Sequence, residues 1–208
     1  MKAIDFAQVC WSYAAWADVT VEEARLLRYI DLLWHAARFS DLRPSQVRSL
    51  AGDADANIRL AIAGRADLSP ALVKHLAKDT NAYVRRAVAG RAGLPARVIN
   101  HLAKDTEADV RRAIADRADL PAGLIELLAG DTDVYVRRAI ADRADLPDAI
   151  IERLAGDADV YVRRAVAGRA DLPDGVVALL AEDTDGDVRR CIAERAQAPQ
   201  LVDGEWWV

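Results

Sequence analysis

One interval governs this chain. Val84, Val110, Val136, Val162 and Val188 stand 26 residues apart, with Ile58 one step earlier. Asp53, Asp79, Asp105, Asp131, Asp157 and Asp183 keep the same interval, as do Leu50, Leu76, Leu102, Leu128, Leu154 and Leu180. Self-similarity at a fixed period of this length marks a stacked-repeat architecture. The central motif runs from Val84-Arg85-Arg86-Ala87-Val88 to Val188-Arg189-Arg190-Cys191-Ile192. Ile58-Arg59-Leu60-Ala61-Ile62 is a looser copy, and a more degenerate unit begins near Leu32 and keeps Asp41-Leu42, Val47, Leu50-Ala51 and Asp53.

Each unit divides into two short helices. Val84, Ala87 and Val88 follow i, i+3, i+4 spacing and share one face. Asp79-Thr80 and Asp131-Thr132 are expected to open the first helix, a side-chain oxygen satisfying the free amides. The segment Arg117-Ala118-Asp119-Leu120-Pro121 and its counterparts stop it. All 7 prolines fall in this connector, where proline ends one helix and can open the next without losing a hydrogen bond. Val98, Ile99, Leu102 and Ala103 then form the stripe of a second helix. A unit that buries about five aliphatic side chains at roughly 1.5–3 kcal/mol each cannot offset about 1–2 kcal/mol of backbone entropy per residue. The units must therefore stack, and six of them at ~8–10 Å spacing extend some ~50–60 Å.

Composition narrows the class. Of 208 residues, 52% are hydrophobic, which excludes a disordered chain. Asp and Arg interrupt every apolar run well short of the ~18 residues a membrane helix needs. The start, Met1-Lys2-Ala3-Ile4-Asp5, lacks the apolar core of a secretory signal. Cys10 and Cys191 are too few for a disulfide framework or a four-cysteine metal site. These features predict a soluble protein of a reducing compartment, the cytoplasm. The net charge is −5, but residues 1–104 hold 15 Lys and Arg against 10 Asp and Glu, while residues 105–208 hold 13 against 23. The acidic total argues against bulk nucleic-acid binding, and the basic half keeps that option open.

Three arginines recur per unit. The first (Arg85, Arg111, Arg137, Arg163, Arg189) lies six residues after an Asp and suits a ladder of charge-assisted bonds between repeats. The third (Arg65, Arg91, Arg117, Arg143, Arg169, Arg195) falls at the helix C-terminus, where a cation can bond terminal carbonyls or pair with a connector acid such as Asp119. The middle one (Arg86, Arg112, Arg138, Arg164, Arg190) points about 160° from the core valine. Tyr83, Tyr135 and Tyr161 precede it by three residues, and Asp116, Asp142 and Glu194 follow by four. That stripe reads either as a solvated face with local ion pairs or as an Arg/Tyr interaction surface formed by Tyr83, Arg86, Arg112, Tyr135, Arg138, Tyr161 and Arg164.

Positions that recur are explained by stacking, so binding belongs where units differ. The exposed side of the second helix varies most: Arg48, Lys74, His75, Lys78, Arg97, Asn100, His101 and Lys104 come early, and Glu126, Glu152, Arg153 and Glu182 come late. Lys74, His75, Lys78, Arg97, His101 and Lys104 are the foremost partner-binding candidates, joined by the aromatic tail residues Trp206 and Trp207. Trp11, Trp16 and Trp34 are expected to cover the first unit's core, with Thr20 and Glu23 as a capping box. No catalytic constellation is present: His35, His75 and His101 are scattered, Cys191 replaces a core alanine, and no Gly-rich phosphate loop or H-E-x-x-H occurs. Neither a catalytic residue, a cofactor nor a metal is expected.

Val136 to Asp157 carries an intact V-R-x-x-(V/I)-A-x-R-x-x-L-P-x-x-(L/I/V)-(L/I/V)-x-x-L-A-x-D pattern. By it the chain resembles the leucine-rich repeat variant family, a bacterial relative of HEAT-type solenoids. The resemblance implies an all-α solenoid wound as a right-handed superhelix, with the second element of each repeat α-helical or 3₁₀, and second helices lining the inner groove. The founding type of that family carries a cysteine-rich iron–sulfur segment before its repeats; here Cys10 alone precedes them, so no cofactor is carried over. The expected organisation is an N-terminal helical cap (1–31), six to seven repeats (32–199) and an aromatic tail (200–208). The expected function is a non-enzymatic scaffold that binds another protein, with nucleic-acid binding as the alternative. An enzyme resembling HEAT-like DNA glycosylases or pigment lyases would need an acid and aromatics converging in the groove.

Overall fold

The computed structural model describes residues 42–197, 201–202 and 205–206. The expected cap with Trp11, Trp16, Thr20 and Glu23, together with Trp34, His35, Cys10 and Trp207, lies outside them. The described residues form twelve helices: α1 (Pro44–Leu50), α2 (Ala56–Ala63), α3 (Pro70–Leu76), α4 (Ala82–Ala89), α5 (Ala96–Leu102), α6 (Ala108–Ala115), α7 (Ala122–Ala129), α8 (Val134–Ala141), α9 (Asp148–Ala155), α10 (Val160–Ala167), α11 (Asp174–Ala181) and α12 (Gly186–Gln197). Even-numbered helices are the first helices of the repeats and odd-numbered ones the second. Both are α-helical; the second element is not 3₁₀. The tail adds β1 (Leu201–Val202) and β2 (Glu205–Trp206), which pair antiparallel with Leu201 opposite Trp206.

The chain divides into two compact units, residues 1–110 and 111–208. In the first, α1 packs on α2, α2 on α3 and α4, and α4 on α3 and α5. In the second, successive first helices α8, α10 and α12 stack, second helices α7, α9 and α11 stack, and each layer packs on the other. This layering buries the repeated apolar columns. Val84/Val88, Val136/Ile140 and Val162/Val166 are fully buried i, i+4 pairs on the first helices, and Leu76, Leu102, Leu128 and Leu180 fill the second-helix side without exposure. A helix of eight residues is too short to hold itself in water, so its order derives from this shared core.

The caps differ from the sequence expectation in a way that has a local cause. The first helices are capped two residues later than expected, by Asp55, Asn81, Asp133 and Asp159. The Asp79 carboxylate instead accepts the Asn81 amide at 2.8 Å, and Asn81 in turn accepts the Tyr83 amide at 2.9 Å. Two Asx turns in series thus bend the chain into the helix. Among the described residues, proline occupies the first helical position only at Pro44 and Pro70. Pro95, Pro121, Pro147 and Pro173 sit one residue earlier, at the N-cap, with extended backbone. The difference has a sequence origin: α3 and α5 start 26 residues apart, so the connector keeps its length, but Ser69 stands where Pro95 does one repeat later and the proline falls one position further on. Gly93 takes the connector position filled elsewhere by Asp67, Asp119, Asp145 and Asp171, and it alone among the described glycines has positive φ (64°).

Candidate binding face

Two arginine columns are consumed in holding repeats together. Arg59, Arg85, Arg111, Arg137 and Arg163 each fork through Nε and Nη2 onto an Asp 20 residues ahead (Asp79, Asp105, Asp131, Asp157, Asp183) at 2.7–3.1 Å. The carboxylate six residues back is therefore not the ionic partner; for Arg59, Arg85, Arg137 and Arg163 that residue supplies its backbone carbonyl to Nη1 at 2.8–2.9 Å. Both ends of each pair are largely buried. Burial pushes the Asp157 carboxyl up, but the bonds from Arg137 and from the Asp159 amide outweigh it and hold it below its ordinary value. The same balance depresses Asp79, Asp105 and Asp131, and at Asp183 the Arg163 bonds dominate.

These depressions give a pH dependence. A carboxyl held below its unfolded value of about 3.9 contributes stability that is complete above about pH 5 and is lost as the pH falls toward the folded value. Thermal midpoints are expected to change little between pH 7 and 5 and to drop steeply below pH 4. A midpoint that holds steady from pH 5 to 3 would contradict the ladder's role.

Four of the six arginines in the third column are buried as well, with Arg91 and Arg195 half-buried. Arg65, Arg117, Arg143 and Arg169 are all about nine-tenths enclosed and pair with the acid two residues on (Asp67, Asp119, Asp145, Asp171) at 2.7–2.8 Å. The carbonyls they reach belong to the preceding repeat rather than to their own helix. Arg143 donates to Ala115 and Arg117, and Arg169 to Ala141 and Arg143. Within the first unit Arg91 donates to Ala63 and Arg65. The guanidinium thus finishes the neighbour's helix C-terminus, a role that sequence spacing alone places on the wrong repeat.

The middle column stays at the surface. Tyr83, Tyr135 and Tyr161 are exposed, as are Arg86, Arg112 and Arg138, while Arg164 is half-buried. Arg138 lies 3.7 Å from Asp142 and Arg190 3.7 Å from Glu194; Arg164, with Gly168 at the corresponding position, reaches Asp187 at 3.0 Å. Arg112, Asp116, Tyr135, Arg138 and Asp142 line a shallow concavity of about 240 Å³. Two guanidiniums and two carboxylates there leave no net field to attract an anion.

The second-helix candidates are all presented to solvent. Lys74 and His75 lie on α3 with Lys78 just beyond it; Arg97 and His101 lie on α5 with Lys104 just beyond. No carboxylate occurs on α1, α3 or α5. Trp206 is placed only through the backbone of β2. Two surface residues escaped the sequence reading: Leu127 on α7 and Leu179 on α11 are 44% and 53% exposed. They occupy the repeat position of His75 and His101, so aligning that column exposes the change from imidazole to leucine. Cys191 is half-buried rather than enclosed, as are Ala87, Ala113 and Ala165 in its column, whereas Ala61 and Ala139 are buried. Among the described residues no group of three His, Cys, Asp or Glu side chains could hold a metal ion, and no helix is long and apolar enough to cross a membrane.

No family profile matches the chain, and no curated protein matches it in sequence. Among solved structures, a leucine-rich repeat variant described as having a novel repetitive structural motif matches with TM-score 0.62 and 30% identity, over 86% of this chain and 68% of that one. The Escherichia coli protein YibA matches with TM-score 0.50 and 18% identity, over 78% of this chain and 72% of its own, a likeness of fold alone. The 26-residue columns, the paired α-helices they build and the identity to the first of these structures place the chain in one group: it belongs to the leucine-rich repeat variant family.

Proposed function

We propose that this protein is a non-enzymatic scaffold that binds another protein through the exposed, variable face of its second helices. The repeat fold is of a kind that typically serves as a binding scaffold. The observation that carries the reading is the sorting of charge. Two of the three recurrent arginine columns are spent on cross-repeat bonds, whereas Lys74 and Arg97 stand exposed on helices without a carboxylate, with Lys78 and Lys104 just beyond them, and among the described residues none of the four lies within ion-pair distance of an acid. Such a face suits an acidic polypeptide segment, the charges steering approach and fixing register. The Arg/Tyr face supports nucleic-acid binding less, since its arginines are matched by Asp142, Asp187 and Glu194. Two cysteines in 208 residues suit a reducing compartment such as the cytoplasm.

The test is binding of a fluorescent glutamate-rich peptide and of a random DNA duplex to the wild-type chain and to Lys74→Glu/Lys78→Glu/Lys104→Glu. Peptide affinity is expected to fall at least about tenfold in the variant and to weaken with salt. Peptide binding that is equal in both proteins would overturn the assignment of this face. Retention of duplex DNA, with a steep salt slope and loss in the variant, would replace a protein partner with nucleic acid.

A further inference from the structure

The repeat register carries the charge argument one step further. At the position of Arg48 and Lys74 in the first unit, the second unit has Glu126 and Glu152; at the position of Lys78 and Lys104, it has Glu182. Asp148 and Asp174 open α9 and α11, and Arg153 is the one cation on these helices, its Nη2 donating to the Glu126 carbonyl at 2.9 Å. All the acids named here are exposed, and among the described residues none is within ion-pair distance of a cation. Leu127 and Leu179 stand exposed amid this acidic row.

We infer that the partner of the basic second-helix face is the acidic second-helix face of a second copy of this chain. This deepens the scaffold reading above and rests on it. Three features support the choice of occupant. The two faces carry opposite predominant charge at equivalent repeat positions, with Arg153 the one cation on the acidic side. One repeat generates both, so their rows of side chains recur at the same pitch, and a shift along the array brings rows rather than isolated residues into register. Finally, the acidic face supplies Leu127 and Leu179 as apolar anchors against the aliphatic stems of the opposing lysines. The net charge of −5 on each copy opposes approach at distance. Screening over ~10 Å at 0.1 M salt confines that repulsion while leaving close pairs intact. The contact is heterologous: each copy offers one basic and one acidic face, so association continues beyond a pair unless the arrangement closes on itself.

Sedimentation velocity from 1 to 200 µM at roughly 0.1 M and 0.5 M salt tests the inference. The wild-type chain is expected to associate at the lower salt and to become monomeric at the higher. Lys74→Glu/Lys78→Glu/Lys104→Glu and, separately, Glu126→Lys/Glu152→Lys/Glu182→Lys are each expected to weaken association at least tenfold. Mixed together, these two variants present all-acidic and all-basic faces and are expected to associate again, which a folding defect in either would prevent. A wild-type chain that stays monomeric throughout, or association that persists unchanged in both variants and in high salt, overturns self-pairing. If the chain is monomeric yet binds the glutamate-rich peptide through Lys74, Lys78 and Lys104, the self-pairing inference fails while the scaffold reading stands; if the peptide also fails to bind, both fall.

Discussion

Asp157→Ala is expected to lower the unfolding free energy by about 3–5 kcal/mol, the range for removing one partner of a buried ion pair. The residue is 9% exposed and its partner Arg137 only 16%, so water cannot solvate the guanidinium left behind. The loss is compounded because the same carboxylate accepts the Asp159 amide at 2.8 Å and so sets the turn into α10. Replacing both members, Arg137→Met with Asp157→Leu, removes the stranded charge and is expected to cost less than the single change; what remains is the Asp159 amide and the Asp131 carbonyl left without their partners, about 1 kcal/mol each. Urea unfolding of the three variants checks the order. A single variant within about 0.5 kcal/mol of wild type would mean that the bond contributes geometry and little energy.

Arg143→Ala is the second large effect. It strips hydrogen bonds from the Ala115 and Arg117 carbonyls and the ion pair at 2.8 Å from Asp145. The carbonyls sit where α6 ends, and each buried acceptor left unpaired costs roughly 1–3 kcal/mol. Arg138→Ala, five residues earlier on the same repeat, is the control. Its side chain is exposed and its ion pair with Asp142 is loose, at 3.7 Å, so the expected change is below about 1 kcal/mol. Arg143→Lys should fall between the two, because one ammonium cannot span two carbonyls and a carboxylate as the planar fork does. Equal losses at positions 138 and 143 would dissolve the distinction between the structural and the surface columns.

The core was readable because stacking forces periodicity. Val136, Ile140 and Leu128 are buried where their columns place them, and both helices fall on the expected segments. The ladders were readable as ladders but not as specific bonds. Choosing Asp157 over Asp131 as the partner of Arg137 needs the distance between adjacent turns, which the interval of 26 does not contain. The helix starts were misplaced by two residues because Asp79 and Asn81 are both competent caps and both accept an amide; only the geometry shows which amide begins the helix. Leu127 and Leu179 were passed over since a leucine on a helix is ordinarily assigned to its buried stripe. The charge reversal from Lys74 to Glu152 was visible in the sequence, but its meaning depends on both residues being exposed on the equivalent helix.

Excision of one full period tests the central claim of a modular array most directly. Deleting residues 134–159 joins Asp133 to Val160, reproducing the Asp159–Val160 junction. Every interface is then still made between equivalent surfaces. Deleting only residues 134–146 joins Asp133 to Pro147 and puts a second-helix sequence where a first helix must pack. The shorter protein lacking a whole repeat is expected to keep its helical circular dichroism per residue and to unfold cooperatively at a lower urea concentration, whereas the half-repeat deletion loses both. If the 26-residue excision unfolds the chain as completely as the 13-residue one, the repeats are not interchangeable units of a stack.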